Sequence, residues 1–283
     1  AAVTVDLQTT AGTAITVAGS ATGTTEGTDT FTGVNAVQGS TFGDTLLGSS
    51  FNNTFTGLGG DDYIDGRGGF DTASYNSLGL GTGGINVNMA TGTVTGDASI
   101  GTDTLRNIEG IQGTGYADTY NATGYGQVGA LNLSTSNGNF NQFEGLGGDD
   151  TITGNGNTRA AFFNATSGVT ITIGAGGSGS ATGDSSVGTD TFTGGVNSAS
   201  GSNFADNYNA SGFTGFNAFE GRGGNDTVNG NGNTQVNFFN ATGGVTVDLA
   251  AGTVDGDVSV GHDIITGGVN NVFGSNFNDT ILG

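Results

Sequence analysis

The sequence has no cysteine, no proline, a single histidine and only four basic residues. Without cysteine, neither a disulfide framework nor a thiolate metal site can form. The basic residues are Arg67, Arg106, Arg159 and Arg222, set against 25 Asp+Glu, so the formal net charge is −21. A chain this acidic offers no basic face to nucleic acid or to an anionic membrane. No stretch approaches the roughly 18 apolar residues of a membrane helix, so membrane insertion is not expected. With His262 alone and no cysteine or lysine, no hydrolytic triad, metallohydrolase set or Schiff-base site can be assembled. His262 lies in a turn where other parts of the chain have threonine, and reads as a solvated residue. The expectation is a protein that is not an enzyme. No basic start followed by an apolar run opens the chain, so an export signal is expected outside this sequence or of a kind not cleaved from the N-terminus.

What is abundant is glycine, at 59 of 283 residues, with threonine and asparagine behind it. There is no Gly-X-Y period, which excludes collagen. Apolar residues still make up 33% of the chain, too many for an ordinary disordered tail. Glycine density and the lack of a 3.6-residue period exclude helix. Short alternating runs such as VTVDL and VTITI read as strands.

The chain repeats itself. VTVDL at Val3 returns as INVNM at Ile85, VTITI at Val169 and VTVDL at Val245, spacings of 82, 84 and 76 residues. GTDTF at Gly27 returns at Gly101, Gly188 and, as GHDII, at Gly261; GSTFGDTLL at Gly39 returns at Gly113, Gly201 and Gly274. We read unit 1 as residues 1–84, unit 2 as 85–168 with a loop or hairpin inserted near 121–139, unit 3 as 169–244 and a partial unit 4 as 245–283. Together they form three and a half units of one continuous solenoid. The ends fall inside the pattern, so the chain is expected to be an excerpt or a subunit that stacks head-to-tail into a filament or lattice.

Within unit 1 the period is nine. Gly39, Gly48, Gly57 and Gly66 are each followed five residues later by Asp44, Asn53, Asp62 and Asp71, and two further on by Leu46, Phe55, Ile64 and Ala73. Each nonapeptide is thus a glycine turn, a carboxylate or amide, and a very short strand with one inward apolar residue. Two nonapeptides make one coil of about 18 residues. Asp44 then lies over Asp62, and Asn53 over Asp71. The fold class is all-β, a parallel β-roll or β-solenoid of short strands and glycine-rich turns.

Such turns point backbone carbonyls toward one spot, and the aspartate adds a carboxylate. Oxygen donors without sulfur or paired histidine select calcium, and several ions would relieve the −21 charge. The candidate metal residues are Asp44, Asn53, Gly57, Gly59, Asp61, Asp62, Gly66, Gly68, Asp71, Asp118, Asp150, Asp206, Asp226 and Asp279. The competing use of Asx residues in such turns is to bond their own backbone. Asp29, Asp103, Asp190 and Asp263, in the GTDTF landmark, have no evident second carboxylate at the stacking distance. The place of Asp71 reads as Arg159 in GNGNTRAAFF and Gln235 in GNGNTQVNFF, where the arginine would supply the ion's charge. Phe162–Phe163 and Phe238–Phe239 align with Ser74–Tyr75 and read as core.

GLGGDDYID followed directly by GRGGFDTAS resembles the G-G-x-G-x-D-x-U-x nonapeptide of the RTX, or haemolysin-type calcium-binding, family. The longer unit is similar to the extended repeats of large secreted proteins of that group. The resemblance implies a parallel β-roll, folding driven by calcium after export, and type I secretion. The function expected is a structural module of an extracellular or cell-surface bacterial protein, such as an adhesin stalk, a surface-layer component or a filament subunit. The alternatives are part of a polysaccharide-active enzyme, which would need acids and aromatics clustered outside the calcium turns, and an ice-binding face, which would need a regular threonine row.

Overall fold

The structure is a computed structural model that describes residues 1–8, 18–76 and 82–283. It is built almost wholly of short strands, most of them three to six residues long. Among the described residues no helix is long and apolar enough to cross a membrane. Residues Ala1–Phe143 and Glu144–Gly283 form two compact bodies. The division falls inside the sequence unit that starts at Ile85.

In the first body, Ala36–Gln38 pairs in parallel with Thr54–Thr56, Thr45–Leu47 with Tyr63–Asp65, and Thr54–Thr56 with Thr72–Ser74. Partners are 18 residues apart, as two nonapeptides per coil require. The side-chain period of a strand is two, so a three-residue strand turns its middle residue to one face. That residue is Leu46, Phe55, Ile64 or Ala73, each at most 1% exposed. The core is therefore a column of single side chains, one per nonapeptide, and glycine turns fold the chain between them.

The coil is not uniformly parallel. Asn86–Asn88, Thr93–Thr95 and Thr102–Arg106 form an antiparallel meander, and its last strand rejoins the parallel stack beside Tyr63–Asp65. The same meander recurs as Val3–Asp6, Ala18–Gly23 and Gly27–Thr32. Each meander begins at the VTVDL-type landmark and ends at the GTDT landmark. These landmarks therefore mark a hairpin added to the roll, and it lengthens the sequence separation between stacked coils.

The second body repeats the plan. Thr170–Ile173, Ser178–Thr182 and Thr189–Ser200 make one meander, and Thr246–Asp248, Thr253–Asp255 and His262–Phe273 another. Thr151–Ala161 lies parallel to Thr189–Ser200, and Thr227–Asn237 parallel to His262–Phe273. Tyr208 stacks on Phe219 with ring centroids 4.6 Å apart, and its hydroxyl donates to Asn217 Oδ1 at 2.9 Å. Buried phenol and amide thereby satisfy each other inside the core.

Two alignments read from the sequence are corrected by the register. Ala73 and Ser74 pair with Ile111 and Gln112, while Ala160 and Ala161 pair with Ala199 and Ser200. Thr158, not Arg159, therefore occupies the place of Asp71, and Thr234 does so in place of Gln235. The turn from Gly154 is one residue shorter than the turn from Gly66, which displaced the sequence alignment by one. A Cβ on Gly154 would meet Thr158 Oγ1, as one on Gly66 would meet Asp71 Oδ2. Thr158 is fully buried, and its hydroxyl accepts the Asn155 N–H at 3.0 Å. Arg159 is half-buried and does not stand at an ion's place; its guanidinium lies 5.9 Å from the Phe163 ring. By the same register Tyr75 matches Phe162 and Phe238, all buried. Phe239 is exposed and packs on Phe273, with centroids 4.5 Å apart.

The insertion near 121–139 is a loop without strands, from 122 to 140. It folds back on the turn 66–71. Thr135 Oγ1 donates to the Arg67 carbonyl at 2.8 Å, Asn137 Nδ2 donates to the Gly69 carbonyl at 2.7 Å, and Phe140 packs on Phe70 at 5.9 Å.

Candidate metal turns

The turns 57–62, 66–71, 145–150 and 221–226 share one backbone. Their second residues are left-handed, with φ of 74° at Leu58, 66° at Arg67, 66° at Leu146 and 70° at Arg222. Their fourth residues, Gly60, Gly69, Gly148 and Gly224, have φ between 108° and 117°. Only glycine enters that second region freely, which accounts for the glycine at the fourth place of all four turns. The first glycine has a different reason. A Cβ on Gly57, Gly66 or Gly221 would collide with the Oδ2 of Asp62, Asp71 or Asp226.

A left-handed leucine costs about 1–2 kcal/mol, and glycine in its place adds about 0.5–1 kcal/mol of unfolded-state entropy. Leu58→Gly is therefore expected to stabilise the chain by about 0.5–1 kcal/mol. The check is the urea midpoint at unchanged slope; a lower midpoint would mean that the Leu58 side chain contributes more than its backbone costs.

The sixth-place carboxylates are held inside the roll. Asp62, Asp71, Asp150 and Asp226 are at most 2% exposed. In each, Oδ1 or a backbone N–H joins a ladder along the stack. Asp44 N–H donates to Asp62 Oδ1 at 2.7 Å, and Asp62 N–H to Asp103 Oδ1 at 3.0 Å. Asn53 N–H donates to Asp71 Oδ1 at 2.7 Å, and Asp71 N–H to Glu109 Oε2 at 2.8 Å. In the second body Asp150 N–H donates to Asp190 Oδ1, Asp206 N–H to Asp226 Oδ1 and Asp226 N–H to Asp263 Oδ1. The expected pairings of Asp44 with Asp62 and of Asn53 with Asp71 are thus present.

The landmark aspartates do have stacked partners. Asp103, Asp190 and Asp263 lie on Asp62, Asp150 and Asp226, at separations of 41, 40 and 37 residues. The sequence search at 18 residues missed them because the meander intervenes. Glu109 was missed for the same reason. Asp29, by contrast, is exposed.

What the ladder leaves over is one oxygen. The Oδ2 atoms of Asp62, Asp71 and Asp226 are buried and have no hydrogen-bond donor. Burial pushes the carboxyl of Asp62 up to about 6, Asp103 and Asp263 to about 7, Asp71 to about 8 and Asp226 to about 9. Facing acids add to the shift: Asp44 for Asp62, Glu109 for Asp71 and Asp263 for Asp226. A buried acceptor without a donor costs about 1–3 kcal/mol and calls for an ion or a proton. Among the described residues no three His, Cys, Asp or Glu side chains gather at one point. A cation here would therefore draw on backbone oxygens beside single carboxylates, which suits a hard ion such as calcium.

The other candidate residues are placed differently. Asp61 is exposed and its Oδ1 accepts the Thr102 N–H at 2.8 Å; Asp149 and Asn225 hold Thr189 and His262 in the same way. These fifth-place side chains position the landmark strand. Gly59 approaches the Ser99 carbonyl, whereas a Cβ on Gly68 would make only ordinary contact with Thr135 and Ser50. Asp44, Asp118 and Asp206 are buried, and Asp279 is half-exposed; all four bond to a serine or threonine four residues before them. Asn53 bonds to Ser49 in the same way. His262 is on the surface, with Nδ1 2.6 Å from Asp255 Oδ1.

A family model of the RTX calcium-binding nonapeptide repeat matches residues 38–73 and 135–158, in four copies. No curated protein matches the chain. The matched segments include the turns 57–62, 66–71 and 145–150. The class is thus an all-β roll with glycine turns, of which residues 38–73 and 135–158 match RTX calcium-binding repeats. The turn 221–226 lies outside the matched residues but has the same backbone and the same orphaned oxygen.

Proposed function

We propose that this chain is a calcium-dependent structural module of an extracellular or cell-surface protein, a stalk, surface-layer or filament element rather than a catalyst. The observation that carries this reading is the set of buried carboxylate oxygens at Asp62, Asp71 and Asp226 that have no donor. Asp62, Asp71, Asp150 and Asp226, with the backbone of their turns, would hold the ions. A cation there satisfies the orphaned oxygen and offsets the repulsion along the ladder. The binding energy then becomes folding energy. The extracellular setting is supported by the RTX repeats. Millimolar calcium outside cells suits sites of modest affinity.

Equilibrium dialysis of the whole chain against calcium, with magnesium in excess, tests the ion. Several calcium ions retained per chain is the expected result, since magnesium demands a stricter octahedron and sheds water reluctantly. No retained calcium would end the reading.

The reading includes prolongation of the stack by a further coil. Ile264, Phe273, Ile281 and Leu282 are about half exposed at the last described strands, at 49–52%. A coil laid on them would bury that surface, and a second copy of the chain would generate a filament because a head-to-tail contact does not close. Light scattering in calcium is expected to show growing assemblies; monodisperse monomers would remove the second copy as the occupant.

A further inference from the structure

The Gly-x-x-x-x-Asp/Asn turns are of two kinds, and the difference lies at the second and fourth places. In 57–62, 66–71, 145–150 and 221–226 these places hold left-handed Leu or Arg and then Gly. In 39–44, 48–53, 113–118, 201–206 and 274–279 they hold Ser or Thr and then Phe or Tyr. None of the residues at the second or fourth place of these five turns has positive φ.

The second kind is closed by its own side chains. The N–H of Ser40, Ser49, Thr114, Ser202 and Ser275 donates to the sixth-place side chain at 2.5–2.8 Å. The hydroxyl of each donates to the same side chain at 2.6–3.1 Å. The same hydroxyl accepts the N–H of Phe42, Phe51, Tyr116, Phe204 or Phe277 at 3.0–3.2 Å. The remaining capacity of the four carboxylates is used by the strand beside them. Val3, Ile85, Val169 and Val245 donate their N–H to Asp44, Asp118, Asp206 and Asp279 at 2.7–3.0 Å. Both oxygens of each of these aspartates are therefore engaged.

In the first kind the second residue has no hydroxyl, and its left-handed backbone leaves Oδ2 without a donor at Asp62, Asp71 and Asp226. Three turns of the second kind each lie on one of the first. Turn 39–44 lies on 57–62, 48–53 on 66–71 and 201–206 on 221–226.

We propose that calcium enters only the turns with Leu or Arg at the second place and Gly at the fourth, and that in the five Ser/Thr turns the hydroxyl takes the place of the ion. This rests on the calcium reading above. It divides the candidate ligands: Asp62, Asp71, Asp150 and Asp226 hold ions, whereas Asp44, Asn53, Asp118, Asp206 and Asp279 close their turns without one. The aromatic at the fourth place excludes the backbone that only glycine adopts there, so the two residues together make the choice legible in the sequence.

The test is the number of calcium ions bound per full-length chain, measured by metal analysis after dialysis into calcium. Wild type is compared with D62N and D226N, and with S40A and S202A, which remove one hydroxyl and keep the aspartate. Each Asp→Asn change is expected to lower the count by at least one ion. S40A and S202A are expected to keep the wild-type count while lowering the melting temperature both with calcium and with chelator. A count that falls in S40A or S202A as far as in D62N or D226N would overturn the proposal, as would a wild-type count in both asparagine variants. A wild-type chain that binds no calcium overturns the calcium reading itself, and this assignment with it.

Discussion

Asp226→Asn is expected to destabilise the chain in calcium and to stabilise it in chelator. Without metal, folding must bury the Asp226 carboxylate against Asp263 or take up a proton, because burial and that neighbouring acid push the carboxyl to about 9. Asparagine keeps the Oδ1 that accepts the Asp206 N–H and carries no charge, so the penalty disappears. The gain comes from removing the buried charge and its repulsion with Asp263, and should be at least about 1.4 kcal/mol, the worth of one pKa unit. With calcium the balance reverses. A site filled at about 100 times its dissociation constant contributes about 2.7 kcal/mol, and the variant forfeits it. Urea unfolding of both proteins in both buffers reads the difference directly. Equal losses with and without calcium would contradict an ion at Asp226.

The second large effect is the pH dependence of the chelated chain. Unfolded, the aspartates titrate near the ordinary 3.8; folded, burial moves Asp62 up to about 6, Asp103 and Asp263 to about 7, and Asp71 to about 8. Between those limits the folded chain binds more protons than the unfolded one, so stability falls as pH rises. The penalty is absent below the unfolded value and complete above the folded ones. Each proton held in excess costs about 1.4 kcal/mol per pH unit. Metal-free protein should therefore lose several kcal/mol between pH 5 and pH 8, opposite in sign to ordinary acid denaturation. Saturating calcium should abolish the slope, because the ion replaces the proton. A chelated chain that is more stable at pH 8 than at pH 5 would contradict the burial of these carboxylates.

The parallel roll was legible because its signal is local. A nine-residue period in glycine, aspartate and one apolar residue fixes both the coil length and the inward position, and Leu46, Phe55, Ile64 and Ala73 are the core as expected. The stacking of Asp44 on Asp62 followed from the same period. What a fixed period could not reveal was any pairing across the meander. Asp103 lies on Asp62 although 41 residues separate them. Glu109 lies under Asp71 by the same route. The alignment that put Arg159 in the place of Asp71 failed for a smaller reason, a turn shorter by one residue, which moves every later residue to the neighbouring position. The division between hydroxyl-closed and open turns was present in the sequence all along, at Ser40 and Phe42 against Leu58 and Gly60. It gained meaning only when the bonds of Ser40 to Asp44 could be set beside the bare Oδ2 of Asp62.

On the proposed reading, calcium supplies folding energy by satisfying carboxylates that the fold leaves unpaired. The most direct test is a calcium titration of the chelated chain at pH 8, followed by far-ultraviolet circular dichroism and thermal melting. β signal, melting temperature or both are expected to rise as calcium is added, in steps where separate groups of coils respond. A chelated sample with the full β signal and the melting temperature of the calcium-loaded protein would contradict it.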